Sequence, residues 1–121
     1  REIELSAQIS FVKLASYVGT SSTGSVCEMI GLNVDISGRD VVVVEDIVDS
    51  GLTMKYVTEM LAKYNPRSIS ICTLLLKPGN LKVDLDIPYK CFSIPNDFIL
   101  GYGLDYDGYG RNTRDIYTVV E

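Results

Sequence analysis

The 121-residue sequence contains no histidine. A Ser-His-Asp or Cys-His catalytic centre, a zinc site built on imidazole and a histidine pH switch are therefore excluded within it. Cysteine is scarce as well: Cys27, Cys72 and Cys91 are odd in number, far apart, set among apolar residues and never arranged as Cys-x-x-Cys. Thiols acting as small hydrophobes in a reducing cytoplasm fit that pattern better than a disulfide framework does. Basic runs are missing, and 11 Lys and Arg against 16 Asp and Glu leave a net charge of −5. A nucleic-acid backbone is thereby disfavoured as a partner, because it requires clustered positive charge. A phosphorylated small molecule is not, since a few backbone amides at a helix start can hold one. No apolar run approaches the ~20 residues of a membrane span, and no signal-like segment opens the sequence. A cytoplasmic protein without a membrane partner is expected. Repeats and low-complexity stretches are also absent, so one domain over residues 1–121 is expected.

What is present reads as globular, with 46% hydrophobic and 22% charged residues. Residues 9–15 alternate well enough for a strand. Residues 19–24, Gly-Thr-Ser-Ser-Thr-Gly, are small and polar and suit either a mobile loop or a hairpin connection. Val41, Val42, Val43 and Val44 read as a strand buried on both faces of a parallel sheet. Residues 53–63 place Met54, Val57 and Leu61 at helical spacing before Asn65-Pro66 closes the helix. Residues 68–76 form the next strand, which completes a βαβ unit. The expected class is α/β, a parallel sheet core with a flanking helix. Shorter strands are expected at 90–94 and 116–120, with a Gly- and Tyr-rich segment between them. Its tyrosines, 102, 106, 109 and 117, read as packing residues.

In open α/β sheets, ligands sit at the carboxyl ends of the strands. There the sequence runs Val44-Glu45-Asp46-Ile47-Val48-Asp49-Ser50-Gly51-Leu52-Thr53. Crowded carboxylates repel one another and gain stability from a partner that neutralises or hydrogen-bonds them, such as sugar hydroxyls, a metal or a cationic transition state. The Ser-Gly-Leu-Thr turn offers two hydroxyls and free amides at the positive end of a helix dipole, which suits a phosphomonoester. It is not a Walker A loop, because no Gly-Lys-Ser/Thr follows. Read generically, Asp49 and Ser50 could instead be helix caps, with Glu45 and Asp46 merely solvated.

Residues 41–53 resemble the signature of the type I phosphoribosyltransferases: a hydrophobic strand, two acids, two apolar residues, Asp, Thr or Ser, Gly, any residue and Thr. Leu14-Ala15-Ser16-Tyr17, Leu74-Leu75-Leu76-Lys77, the run from Pro95 to Tyr106, and Arg111 resemble the hypoxanthine and hypoxanthine-guanine branch of that family. The likeness extends from about Ile9 to Val120.

The resemblance implies transfer of a phosphoribosyl group from phosphoribosyl pyrophosphate to a 6-oxopurine, giving IMP or GMP and pyrophosphate in purine salvage. It implies that Glu45 and Asp46 bind the ribose hydroxyls and that Asp49 takes the proton of purine N7. Ser50, Gly51, Leu52 and Thr53 would hold the 5′-phosphate. Lys77 would donate to the exocyclic O6, Phe98 would stack on the base, and the backbone of Ile99 would read the ring edge. Asp105 would ligate Mg²⁺ and Arg111 would contact pyrophosphate, while Ser16 and Tyr17 would belong to a loop that closes over the reaction. Without the resemblance, Lys77 could be a solvated surface lysine and Phe98 a core aromatic.

Two departures stand out. Asp97 occupies a position where some members carry a basic residue. Family members also carry a strand, a helix and a short pyrophosphate loop upstream of Ile9, so the chain reads as truncated at its amino terminus, with one side of its sheet uncovered. A homo-oligomer that covers this side, and weak catalysis by the chain alone, are expected. The alternative is a regulatory or fragment form of the fold that binds nucleotide or a partner without catalysis.

Overall fold

The structure, a computed structural model, describes residues 1–18 and 25–120. They form two compact units, one made of Arg1–Val42 with Met54–Ile69 and the other of Val43–Thr53 with Ser70–Glu121. In the first unit, β1 (Lys13–Val18) and β2 (Ser25–Ile30) pair antiparallel, in register from Lys13 opposite Ile30 to Val18 opposite Ser25. The strand expected over 9–15 starts later, at Lys13, and β2 is an addition to the sequence reading. Residues 19–24, read as a mobile loop or a hairpin connection, lie outside the described residues.

The βαβ unit is present as β3 (Asp40–Val48), α1 (Leu52–Ala62) and β4 (Ser68–Leu76). Hydrogen bonds at both ends of β3 fix its direction relative to β4. The Arg39 carbonyl, just before β3, accepts from the amide of Arg67, just before β4, at 2.8 Å, and the Val48 carbonyl, at the end of β3, accepts from the amide of Lys77, just after β4, at 3.0 Å. Start meets start and end meets end, so the strands run parallel. The Arg67 side chain and the Ser68 hydroxyl also converge on the carboxylate of Asp40.

Helix α1 forms because Met54, Val57 and Leu61, spaced three and four residues apart, present one buried stripe. Outside it, Lys55 and Glu59 pair at 3.9 Å with i,i+4 spacing, a contact of a few tenths of a kcal/mol. The helix ends at Ala62, and the turn after it closes at Asn65, whose φ of 55° is left-handed and whose amide donates to the Ala62 carbonyl at 3.2 Å. Asn tolerates that conformation and Pro66 cannot extend the helix, so the turn is written locally.

In the second unit β5 (Tyr89–Ser93) pairs parallel with β4, giving a sheet of order β3-β4-β5. The short strands β6 (Ile99–Leu100) and β7 (Tyr117–Thr118) pair antiparallel. Val48, Ile71, Leu75, Leu76 and Ile87 form the core here, together with two buried polar residues, Thr73 and Lys77. Between β6 and β7 the chain folds into tight turns at Gly101–Leu104 and Tyr106–Tyr109. Gly101 has φ +99°, and a Cβ there would collide with the Asp115 carbonyl, so no other residue fits.

Two expectations need correction. The valines of β3 are buried on one face only: Val42 is 56% and Val44 77% exposed, while Val41 and Val43 are half-buried. The described residues contain one α-helix, and a strand hidden on both faces needs layers on both sides. The tyrosines at 102, 106, 109 and 117 are exposed rather than buried in a core, because they sit on turns and on a two-residue strand. Among the described residues, no helix is long and apolar enough to cross a membrane.

Candidate active site

Strand β3 delivers three carboxylates toward its carboxyl end. Side chains alternate along a strand, so Glu45 is half-buried and Asp46 exposed on opposite faces. Each accepts from the amide that follows it, Glu45 from Asp46 at 3.1 Å and Asp46 from Ile47 at 2.7 Å. Burial, followed by the hydrogen bond with Asp46, pushes the Glu45 carboxyl up to about 7. Glu45 therefore carries a proton for part of the time near neutrality.

Beyond β3 the chain turns at Ser50-Gly51 into α1. Gly51 has φ +82°, and a Cβ would stand 2.9 Å from Leu85 and 3.1 Å from Leu81 and Val83. The conformation itself disfavours any other residue, since side chains far out on a loop can yield but a left-handed backbone costs ~1–2 kcal/mol. Segment 81–85 braces the turn from outside, and the Lys82 amide donates to the Ser50 carbonyl at 2.8 Å. The Ser50 hydroxyl accepts from the Leu52 amide at 3.4 Å, a capping contact at the start of the helix. Leu52 and Thr53 are exposed.

Asp49 is the most constrained of the three acids. Lys77 Nζ donates to its Oδ2 at 2.9 Å, and Asn80 Nδ2 donates to its Oδ1. The hydrogen bond from Asn80 and the paired ammonium of Lys77 hold the Asp49 carboxyl below the usual carboxylate range, against a desolvation that acts the other way. Lys77 is 5% exposed, which sets aside the surface-lysine reading. An ammonium this deep persists only where a carboxylate satisfies it. Sequence reasoning missed Asn80. The only signal was its place in Lys77-Pro78-Gly79-Asn80, a turn of the kind that usually carries no chemistry.

Phe98, Ile99, Asp105 and Arg111 lie in the same unit. Phe98 is 55% exposed, not a core aromatic, and its ring meets that of Tyr106 edge-on at a centroid distance of 5.6 Å. Its carbonyl accepts from the Val119 amide at 2.8 Å. Ile99 on β6 is half-buried and lines a small cavity with Leu75, Ile94, Pro95, Asp97, Ile116 and Thr118. Asp105 Oδ1 pairs with Arg111 Nη2 at 2.8 Å, and its Oδ2 accepts from the Gly108 amide at 2.8 Å. Arg111 Nη1 also donates to the Gly103 carbonyl at 2.7 Å. Ser16 and Tyr17 belong to the first unit, on β1, opposite Cys27 and Val26.

Among the described residues, no group of three or more acidic or thiol side chains could enclose a metal ion. Mg²⁺ does not need such a cage, because one or two carboxylates suffice when phosphates and water complete its octahedron. A carboxylate has about four lone-pair directions, so Asp105 retains capacity beyond its two present bonds. It fits that partial role.

A model of the phosphoribosyl transferase domain matches residues 3–107, and the chain belongs to that family. Its parallel sheet core and helix are those of the type I phosphoribosyltransferase fold. The hypoxanthine-guanine phosphoribosyltransferase of Mycobacterium bovis is 47% identical over 120 residues, which cover 98% of this chain and 59% of that protein. The hypoxanthine phosphoribosyltransferase of Escherichia coli is 44% identical over 107 residues, covering 88% and 60%. The crystal structure of a hypoxanthine-guanine phosphoribosyltransferase from Bacillus anthracis superposes with a TM-score of 0.81 at 38% identity, covering 98% of this chain and 70% of that one. The chain thus spans about three fifths of the length of the curated relatives it matches.

Proposed function

We propose that the chain performs phosphoribosyl transfer in purine salvage, joining hypoxanthine, and guanine as a second substrate, to phosphoribosyl pyrophosphate to give IMP or GMP and pyrophosphate. The observation that carries this reading is the Asp49–Lys77 pair beside the Ser50–Thr53 turn. A proton acceptor, a buried donor for an oxo group and a phosphate cradle are thereby gathered in one short stretch of structure.

The chemistry asks for each part. The bond between C1′ and the pyrophosphate oxygen breaks with its electron pair leaving on pyrophosphate, purine N9 bonds to C1′, and the proton on N7 passes to Asp49. Held low by its partners, Asp49 is a weak base at rest. It suffices because the purine becomes acidic as N9 acquires positive charge. Positive charge also develops at C1′ and favours carboxylates by the ribose. Glu45 and Asp46 receive the ribose hydroxyls, and a partly protonated Glu45 can donate as well as accept. The amides of Ser50, Gly51, Leu52 and Thr53 hold the 5′-phosphate at the helix start.

Lys77 has two donors beyond the one on Asp49 and gives one to purine O6, while Phe98 offers its exposed face to the base and the Ile99 backbone borders the ring. Asp105 would hold Mg²⁺, which would supply positive charge for the leaving pyrophosphate. Arg111 contributes the second positive group there. Ser16 and Tyr17, expected in a covering loop, lie on strand β1 of the first unit and take no part in this reading. Free thiols at Cys72 and Cys91 suit a cytoplasmic setting, and neither nucleic acid nor membrane enters the reading. Self-association that covers Val42 and Val44 is part of it, read by light scattering as a mass above that of one chain.

The test is a turnover assay with phosphoribosyl pyrophosphate, Mg²⁺ and each of hypoxanthine, guanine, xanthine and adenine. Nucleotide formation from 6-oxopurines and refusal of adenine are expected. Efficient use of adenine would refute the role given to Lys77.

A further inference from the structure

Lys77 and Asn80 approach the same carboxylate, and the backbone between them explains why. Residues Pro78–Asn80 form one 3₁₀ turn, closed by the Asn80 amide donating to the Lys77 carbonyl at 3.1 Å. In that geometry residues i and i+3 eclipse each other, so the turn presents the two side chains on one side. Its position is set from two directions. The Lys77 amide is tied to the Val48 carbonyl at the end of β3, and the Asn96 side chain lies against Gly79, where a Cβ would stand 3.2 Å from Asn96 Oδ1. Pro78 fixes the first φ of the turn.

We infer that Asn80 is a positioning residue that clamps Asp49. Lys77 holds one carboxylate oxygen and Asn80 the other, so the torsion of the carboxyl about its Cβ–Cγ bond, otherwise broad and nearly two-fold, is fixed. With Lys77 alone, the carboxyl could swing about the Oδ2 contact. Asn80 adds a donor without adding charge, and so leaves the Lys77 ammonium as the one cation paired with Asp49 among the described residues. Glu45 and Asp46, on β3 just before Asp49, are the neighbouring acids. The depressed ionisation of Asp49 accords with the clamp, because a hydrogen bond to the charged form favours it. The consequence for transfer rests on the function proposed above: the oxygen that meets N7 is presented in one orientation.

The clamp is tested on the full chain by following the Asp49 carboxyl with ¹³C NMR against pH, the resonance being assigned by its loss in Asp49→Asn. In the unmodified protein it titrates below an ordinary aspartate. Asn80→Ala should raise the midpoint, and the isosteric Asn80→Asp, which retains the turn and replaces a donor by a second acid, should raise it further. An unchanged midpoint in both variants would overturn the inference whatever the activity. In the turnover assay, Asn80→Ala should lower kcat on the order of tenfold, the scale of one hydrogen bond to a charged group. KM for phosphoribosyl pyrophosphate should stay put, and the acid limb of kcat should move to higher pH with the NMR midpoint. A shifted midpoint in a chain that never turns over would uphold the clamp and refute the transfer reading, so the two failures are distinct.

Discussion

Two carboxylate–cation pairs stand in the same unit at nearly the same distance, 2.9 Å for Lys77–Asp49 and 2.8 Å for Arg111–Asp105, yet they are built for different work. The Lys77 side chain is 6% exposed and the Arg111 side chain 60%. Distance does not separate them, and desolvation of the cation does; the carboxylates differ little, 45% exposed for Asp49 and 34% for Asp105. Water cannot replace Asp49 as the partner of an ammonium buried at the end of a core strand, so that pair is fixed before any ligand arrives. Arg111, on a glycine-rich loop, can exchange Asp105 for water or an anion at little cost. In the proposed reaction the first pair belongs to the base, which must be met by prearranged groups. The second belongs to pyrophosphate, which must be gripped and then released.

The largest effect should come from the fixed pair. Asp49→Asn keeps the shape and removes the proton acceptor, so kcat should fall by ~10²–10⁴, the usual contribution of general acid–base assistance. Binding of phosphoribosyl pyrophosphate should change far less. A variant with unchanged kcat and a raised KM would make Asp49 a binding residue and erase the distinction between the pairs. Lys77→Met should follow, because the lost charge-assisted bond to O6 is worth about 1.5–3 kcal/mol, or on the order of 10- to 100-fold in kcat/KM for hypoxanthine. Adenine should gain nothing absolute, and steady-state kinetics on both bases checks this.

Glu45 gives a smaller effect with a definite sign. Its folded value is raised to about 7 from 4.5, so the native state keeps a proton that the unfolded chain releases. The stability this provides is complete below 4.5 and is lost as pH rises through 7. Urea unfolding of Glu45→Gln should therefore be more favourable to the variant at pH 8 than at pH 5, relative to the parent protein. Smallest is Arg111→Gln, which should change unfolding free energy by no more than ~1 kcal/mol, as exposed pairs do. A loss several times greater would show that the two pairs are energetically alike.

The parts of the molecule legible in the sequence are those where one physical signal acts alone. The strand over 68–76 matches β4, and Met54, Val57 and Leu61 are the buried stripe of α1, because periodicity reports burial directly. The acids of β3 and the Gly51 turn were legible through their crowding and spacing. Less could be read where the outcome depends on neighbours. Four consecutive valines look alike whether one sheet face is covered or two, and here Val42 and Val44 are open. The tyrosines look like packing residues until the turns that carry them are known. Asn80 was illegible for the same reason, since its role arises from a turn that meets Asp49, a residue far away in the chain.

The most direct test of the site as a whole is a ¹⁵N-labelled titration of the chain with IMP, which reads binding without requiring turnover. Shifts should concentrate on the amides of Ser50, Gly51, Leu52 and Thr53 together with Lys77, with AMP reproducing the phosphate response but not that of Lys77. Saturating IMP that leaves the Ser50–Thr53 turn unperturbed while shifting resonances elsewhere would contradict this assignment.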